Sequence, residues 1–322
     1  AGEFKRLEPH FAGSWEVKTG IPGPEDITID HRNGLAFVSS DLRPGARGSG
    51  PIRGDVYGYD LNSPDPEPVN LTRDFPGPFH PHGISLYSEA GCTRLFVVNH
   101  RPGADGIEIF DVEEGRLYHL RTIEGRLLSN PNDVLAVGPQ CFYATNDHGS
   151  ITSLGKTLED YLRLPRSNVV YFDGSRFTVA ARGIRYANGI NWSSGGRSVY
   201  VASTTGLRIR VYRRDEATGA LTFDRDVKLR TGVDNIEVDP SGSLWVGCHP
   251  KLLTFTKHFA DPTLPSPSQV LKITLRPQRP PLVEEIFLDL GETLSASSVA
   301  AVYRDVMLIG AVMGDRFLDC RF

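Results

Sequence analysis

Short runs in which apolar and polar residues alternate recur along the whole chain, and they recur in pairs. Alternation of period two over five to eight residues marks a half-buried strand. In PEDITIDHRNGLAFVSS (24–40) one such run is followed by a turn and then by a second apolar run. The arrangement returns in PHGISLYSEAGCTRLFVVNH (81–100), PNDVLAVGPQCFYATND (131–147) and ANGINWSSGGRSVYVAS (187–203). It returns again in VDNIEVDPSGSLWVGCH (233–249) and more loosely in SSVAAVYRDVMLIGAV (297–312). Each copy has one or two small polar residues, an alternating strand, a turn rich in Gly, Asn or Ser, and a second strand. The copies are spaced by roughly 45–65 residues, a period typical of arrays and propellers.

Further strand-like runs lie between the copies: DVYGYDL (55–61), GIEIFDV (106–112), NVVYFDG (168–174) and LRIRVYRR (207–214). They supply the outer strands of a four-stranded unit, and six such units account for nearly the whole chain. The expected fold is all-β, a six-bladed β-propeller with a central channel, forming one domain over residues 1–322. A large β-sandwich or a pair of β domains is the alternative, but no linker-like segment divides the chain. The stretch TSLGKTLEDYLRLPRS (152–167) departs from the strand pattern and is expected to hold a short helix.

Composition narrows the function. The charge is mixed, 35 Lys and Arg against 39 Asp and Glu, and the mean hydropathy is −0.24. No apolar run is long enough to span a membrane as a helix, and no basic block marks a nucleic-acid footprint. The 33 glycines and 23 prolines fall in short clusters between apolar runs, as turns between strands require. Cys92, Cys141, Cys248 and Cys320 form neither a CxxC pair nor a zinc spacing. The chain begins at Ala1, which leans toward a secretory-pathway protein whose leader lies outside this sequence. Asn70 and Asn191 match the glycosylation sequon. The oligomeric state is not readable.

The residues that open each repeat carry the chemistry. Glu25-Asp26, His82-Gly83, Asn132-Asp133, Asn188-Gly189, Asp234-Asn235 and Ser297-Ser298 precede buried strands although most are poor strand formers. In a propeller these equivalent positions converge at the channel. Asx residues before strands also make local turns, but five of six equivalent positions exceed what turns require, because unpaired buried carboxylates are costly. A ring of carboxylates and carboxamides suits calcium rather than zinc. Glu25 and Asp234 neutralise one divalent ion, with Asn132, Asn188 and Asn235 as neutral donors. Asp26 and Asp133 serve a second ion only if the backbone bends at each doublet, since adjacent side chains on a strand point oppositely.

The same segments, PEDITID, PHGIS, VVNH, NDVLAVG, TNDH, ANGIN, VDNIEVD and LWVGCHP, resemble the paraoxonase family in order and spacing over nearly the whole chain. The resemblance implies a calcium-dependent propeller hydrolase of lactones and aryl esters, with phosphotriesters as a side activity. It implies a catalytic calcium held by Glu25, Asn132, Asn188, Asp234 and Asn235. It implies a structural calcium held by Asp26, Asp133 and the carbonyl of Ile84. The family's histidine dyad falls on His82 and His100, and His148 falls on a pocket histidine. Tyr186, Ser298 and Met313 are the further candidate pocket residues. A route through Glu25 or Asp234 as the base stays open, as does a purely structural role for the histidines.

Departures from the family pattern are local. The disulfide of mammalian members has a counterpart at Cys320 but none near Ser14, so Cys320 is expected to be free and closure to rest on strand pairing. No hydrophobic N-terminal anchor is present in the sequence. The loop Arg43–Gly54 is glycine-rich and basic, and Arg185 and Tyr186 differ from the family before ANGIN. Cys248 falls on the family's free cysteine and reads as a small buried hydrophobe. His249 is less certain, and Trp245 reads as core. Two competing readings are a non-hydrolytic propeller with structural calcium and a lyase or condensing enzyme of the strictosidine-synthase type. The expected partner is a small lactone or ester.

Overall fold

A computed structural model describes residues 2–42, 53–89 and 91–322. Its strands form six antiparallel sheets. Each sheet starts from one of the repeated segments: Pro24–Asp30, Pro81–Glu89, Pro131–Ala136, Ala187–Trp192, Gly232–Val238 and Ser297–Tyr303. These six innermost strands touch one another in sequence, and the last touches the first, so the ring closes. The blades are numbered one to six in that order, and the molecule is the six-bladed β-propeller expected from the repeats.

Alternation decides what packs where. One core cluster fills each blade interface. Phe37, Val56 and Phe79 meet Ile84, Val97 and Phe110 between blades one and two. Ile27 and Ile29 meet Val299, Ala301 and Phe317 across the closure. Trp245 lies in the cluster between blades five and six, as core.

The N-terminal segment performs the closure. Ser14–Thr19 adds the outermost strand of blade six by pairing with Arg316–Arg321, which sets Trp15 opposite Cys320. His10–Phe11 adds a fifth strand to blade five. All four cysteines are free, and burial with the neighbouring Asp319 pushes the Cys320 thiol up to about 12. Main-chain pairing therefore replaces the disulfide.

Two helices stand on the end of the propeller where the innermost strands begin. Helix α1, Ser153–Leu162, is the one expected from 152–167; Thr152 caps it by accepting from the Gly155 N–H at 3.2 Å. Helix α2, Leu252–Ala260, was not expected, since its LLTFTKHFA run lacks a capping residue of its own. Glu3 caps it from the far end of the chain, accepting from Leu253 N–H at 2.7 Å and Thr254 Oγ at 2.9 Å. Among the described residues no helix is long and apolar enough to cross a membrane.

Candidate metal centre and active site

The bend that the doublets need is present in every blade. The innermost strand slips register against its neighbour between Pro24 and Asp26, Pro81 and Ile84, Pro131 and Val134, Ala187 and Ile190, Val233 and Ile236, and Ser297 and Val299. A bulge lets consecutive side chains leave the two-sided pleat. Two glycines show how tightly the ring is drawn. A Cβ on Gly189 would meet the Asn235 Cα at 2.6 Å, and one on Gly83 would overlap the Asp133 backbone. Blades two and four therefore present one side chain each, His82 and Asn188, where blades one, three and five present two.

The upper layer of the ring is dense in oxygen. Glu25, Asn132, Asn188, Asp234 and Asn235 are all buried. Asn235 Nδ2 donates to Glu25 Oε1 at 3.0 Å across the ring, and Asn188 Nδ2 donates to Thr204 Oγ at 3.2 Å. Ser298 Oγ donates to the Glu25 carbonyl. Asn132 Oδ1, Asn188 Oδ1, Asp234 Oδ1 and Asn235 Oδ1 are buried without a hydrogen-bond partner among the described residues. Orphaned acceptors of this kind are rare, because each forfeits its hydration. A hard cation that takes six to eight oxygens answers that deficit, and calcium fits the donor set. No three His, Cys, Asp or Glu side chains form a metal cluster among the described residues. Carboxamides make up the majority of the upper ring's donors.

The lower layer differs. Asp26 accepts from its own blade's Ile27 N–H at 2.9 Å and from the Ile84 N–H at 2.7 Å. Asp133 accepts from Val134 N–H and Ile190 N–H, both at 2.7 Å. Each carboxylate thus ties its blade to the next one. Burial pushes both carboxyls up; Asp234 adds to it at Asp26, and Asp26 adds to it at Asp133. A cation between two buried carboxylates would relieve their repulsion.

The histidines form a line leading out of the ring. His82 Nε2 lies 3.7 Å from Glu25 Oε2, and His82 Nδ1 lies 2.9 Å from His100 Nε2. His100 Nδ1 in turn lies 3.1 Å from Asp105 Oδ1. One tautomer assignment satisfies the line: Asp105 accepts from His100 Nδ1–H, and His100 Nε2 accepts from His82 Nδ1–H. That leaves the basic nitrogen of His82, Nε2, on the side of Glu25.

Sequence reasoning undervalued His249. Its Nε2 lies 2.7 Å from Asp234 Oδ2, and its ring stacks on Phe255 of α2 at 3.8 Å. Asp234 is thus oriented by an imidazole that α2 holds flat. The pairing of Gly232 with His249, two residues from Asp234, was the signal in the hairpin register. Cys248 is fully buried beside it, as a small hydrophobe.

The other candidates scatter around the rim. His148 is buried with Asp147 Oδ1 at 2.7 Å from Nδ1 and Asp160 Oδ1 at 3.1 Å from Nε2. Burial opposes its charge, but the two carboxylates prevail and raise it to about 9, making it an imidazolium at neutral pH. The Tyr186 ring meets it edge-on at 5.0 Å. Tyr186 and Ala296 enter blades four and six with φ of 54° and 58°, left-handed values that cost a non-glycine residue on the order of 1 kcal/mol. Met313 is buried on the wall of a cavity of about 250 Å³ with His258, Leu294 and Thr263, on the flank of blades five and six. Of the basic loop Arg43–Gly54, residues 43–52 lie outside the described residues. Arg53 donates to the Phe75 carbonyl at 2.5 Å and packs over Phe75 and Phe79. Of the sequon residues, Asn191 commits its Nδ2 to the Ile236 carbonyl at 2.8 Å inside the channel.

The fold and the site together define a six-bladed propeller with a buried ring of oxygen donors and a histidine line beside it. The arylesterase family model matches residues 19–322. Human serum paraoxonase/arylesterase 1 is 41% identical over 320 residues, covering 96% of this chain and 89% of that protein. The chain belongs to the arylesterase family and is an ester hydrolase. Among solved structures, a luciferin-regenerating enzyme superposes with a TM-score of 0.60 at 12% identity, covering 96% of both chains. A calcium-binding regucalcin from Agrobacterium tumefaciens superposes with a TM-score of 0.57 at 15% identity, covering 97% of this chain and 95% of that one. These two share the fold.

Proposed function

We propose that this chain is a calcium-dependent hydrolase of lactones and aryl esters that uses two ions and a histidine dyad. The observation that carries this reading is the convergence of four partnerless buried oxygens beside the His82–His100–Asp105 line. Glu25, Asn132, Asn188, Asp234 and Asn235 would hold the upper ion. Asp26, Asp133 and the Ile84 carbonyl would hold the lower one. The upper ion, when bound, supplies Lewis acidity at the substrate's carbonyl oxygen.

The chain's own groups do the rest. His82 Nε2 takes the proton of the attacking water as general base. The positive charge that develops on its ring is relieved through Nδ1–H toward His100, whose own Nδ1–H is fixed on Asp105. His249 keeps Asp234 from turning out of the ring. Asn132, Asn188 and Asn235 are neutral, so the ring donates oxygens without cancelling the charge that polarises substrate. The lower carboxylates lock blade one to two and blade three to four, which fixes the spacing of the upper donors.

The test is hydrolysis of a small panel of lactones and aryl esters, before and after treatment with a strong calcium chelator and again after calcium is returned. Activity lost and restored in step with calcium bound, measured by calorimetry, is the expected result. Full activity in a sample free of metal would sink the reading.

A further inference from the structure

The rim above blades three and four carries arginines whose charges are not answered by carboxylates. Arg163 ends α1 in the left-handed region, φ 53°, and its Nε donates to the Thr205 carbonyl at 2.5 Å. Arg185 Nε donates to the Arg163 carbonyl at 2.8 Å. Both guanidiniums are thus anchored by one nitrogen to main chain, and neither pairs with an acid among the described residues. Arg208, close by, is by contrast held by Asp226 at 2.6 Å. The three cations press on one another: burial, Arg185 and Arg208 together lower Arg163 from its ordinary value. An anion placed among them would answer the mutual repulsion of these cations.

Their place relative to the reaction centre is fixed by the chain. Arg185 stands three residues before Asn188, separated from it by Tyr186 in its left-handed turn. Arg163 stands three residues after Asp160, which holds His148. The pair therefore frames the rim next to the His148–Tyr186 contact, on the end of the propeller where the ring opens. An anchored guanidinium fork matches the flat, two-oxygen edge of a carboxylate or phosphate.

We propose that Arg163 and Arg185 form a subsite for an oxyanion on the substrate, so that this hydrolase favours esters or lactones whose chain ends in a carboxylate or phosphate. The inference rests on the hydrolase reading above and adds the substrate class. The anion binds between the two forks, away from the scissile bond, and orients the acyl chain toward the ring.

The test compares kcat/KM for three aryl esters with calcium present: 4-nitrophenyl hydrogen adipate, its neutral methyl ester, and an ester of equal length ending in a phosphate monoester. Wild type should favour the anionic substrates by roughly tenfold or more, the usual yield of hydrogen bonds to a charged group. The preference should shrink as salt is raised. Arg163→Gln and Arg185→Gln, singly and together, should erase the preference through KM and change the neutral ester less than twofold. Arg163→Lys should keep part of it. The carboxylate and phosphate arms show which oxyanion is preferred. Equal turnover of neutral and anionic esters by wild type overturns the inference while leaving the hydrolase reading standing. So does an equal loss on all three esters in the single variants, which marks a structural role. No turnover of any ester by calcium-loaded wild type defeats the hydrolase reading itself.

Discussion

The same six strands line both ends of the central channel, and the two ends are built on opposite rules. At the upper end every strand is bulged, polar side chains turn inward, and four buried oxygens meet no protein donor among the described residues. At the lower end the register is regular, and polar groups in a cavity of about 300 Å³ answer one another. Asn191 donates to the Ile236 carbonyl, Ser85 accepts from Ala136 N–H, and Asp30 caps its own turn through Arg32 N–H. Burial pushes the Glu237 carboxyl there well up, toward its neutral form. A channel can therefore be polar throughout and be a site at one end only. What separates the ends is whether the polar atoms are spent.

Breaking the upper end should have the largest effect. Asp234→Ala removes a carboxylate from the upper ion's ring and strands His249; hydrolysis should be abolished, and calorimetry should find one calcium fewer than in wild type. A ligand bound only by the folded state at a thousandfold its Kd stabilises by about 4 kcal/mol. Calcium should accordingly raise the Tm of wild type by several degrees and that of Asp234→Ala by less, through the lower ion alone. An Asp234→Ala variant that binds and gains from calcium as fully as wild type would put the upper ion elsewhere.

Next in size is the histidine line. His82→Gln keeps the ring but removes the proposed base, and kcat should fall on the order of 10²–10⁴-fold. Calcium should still raise its Tm as in wild type. Asp105→Asn tests the tautomer chain more gently, since His100 Nδ1–H keeps an acceptor oxygen that is no longer charged. A smaller fall in kcat is expected, with KM unchanged.

A third measurement separates rim from ring. His148 is raised to about 9 by Asp147 and Asp160 against the cost of burial. A raised histidine contributes stability that is complete below its unfolded value near 6.5 and is lost as pH climbs through 9. The contribution is about 3 kcal/mol. Calcium-loaded wild type should lose Tm between pH 6.5 and 9.5, and His148→Gln should start lower and lose less over that interval. Parallel curves for the two proteins would remove His148 from the account.

The ring was legible in the sequence because it repeats. Each blade restates the same phrase, so six misplaced polar doublets read as a set of converging oxygen donors. The bulge was legible only as a condition, since a doublet such as Asp234-Asn235 serves one centre if and only if the strand bends there. The partners of the ring were harder. His249 reaches Asp234 through hairpin register, α2 is capped by Glu3 about 250 residues away along the chain, and Asp105 meets His100 across a loop. None of these contacts repeats from blade to blade, so no internal comparison exposes them. Arg163 and Arg185 are likewise visible only after α1 has folded back over the next blade.

The smallest expected effect belongs to the lower end, and it is the sharpest check on the contrast. Glu237 is the obvious carboxylate of the lower cavity and lies only two residues beyond Asn235. If polarity alone made a site, Glu237→Gln would disturb ion binding as the upper variants do. If spent and unspent acceptors are what differ, an amide of equal shape in place of a carboxyl that burial pushes toward its neutral form should change little. Stability should shift by less than about 0.5 kcal/mol, the range of substitutions that break no special contact. Calcium affinity and kcat/KM should match wild type. A tenfold loss of calcium affinity in Glu237→Gln would extend the ion site down the channel and end the distinction between its two halves.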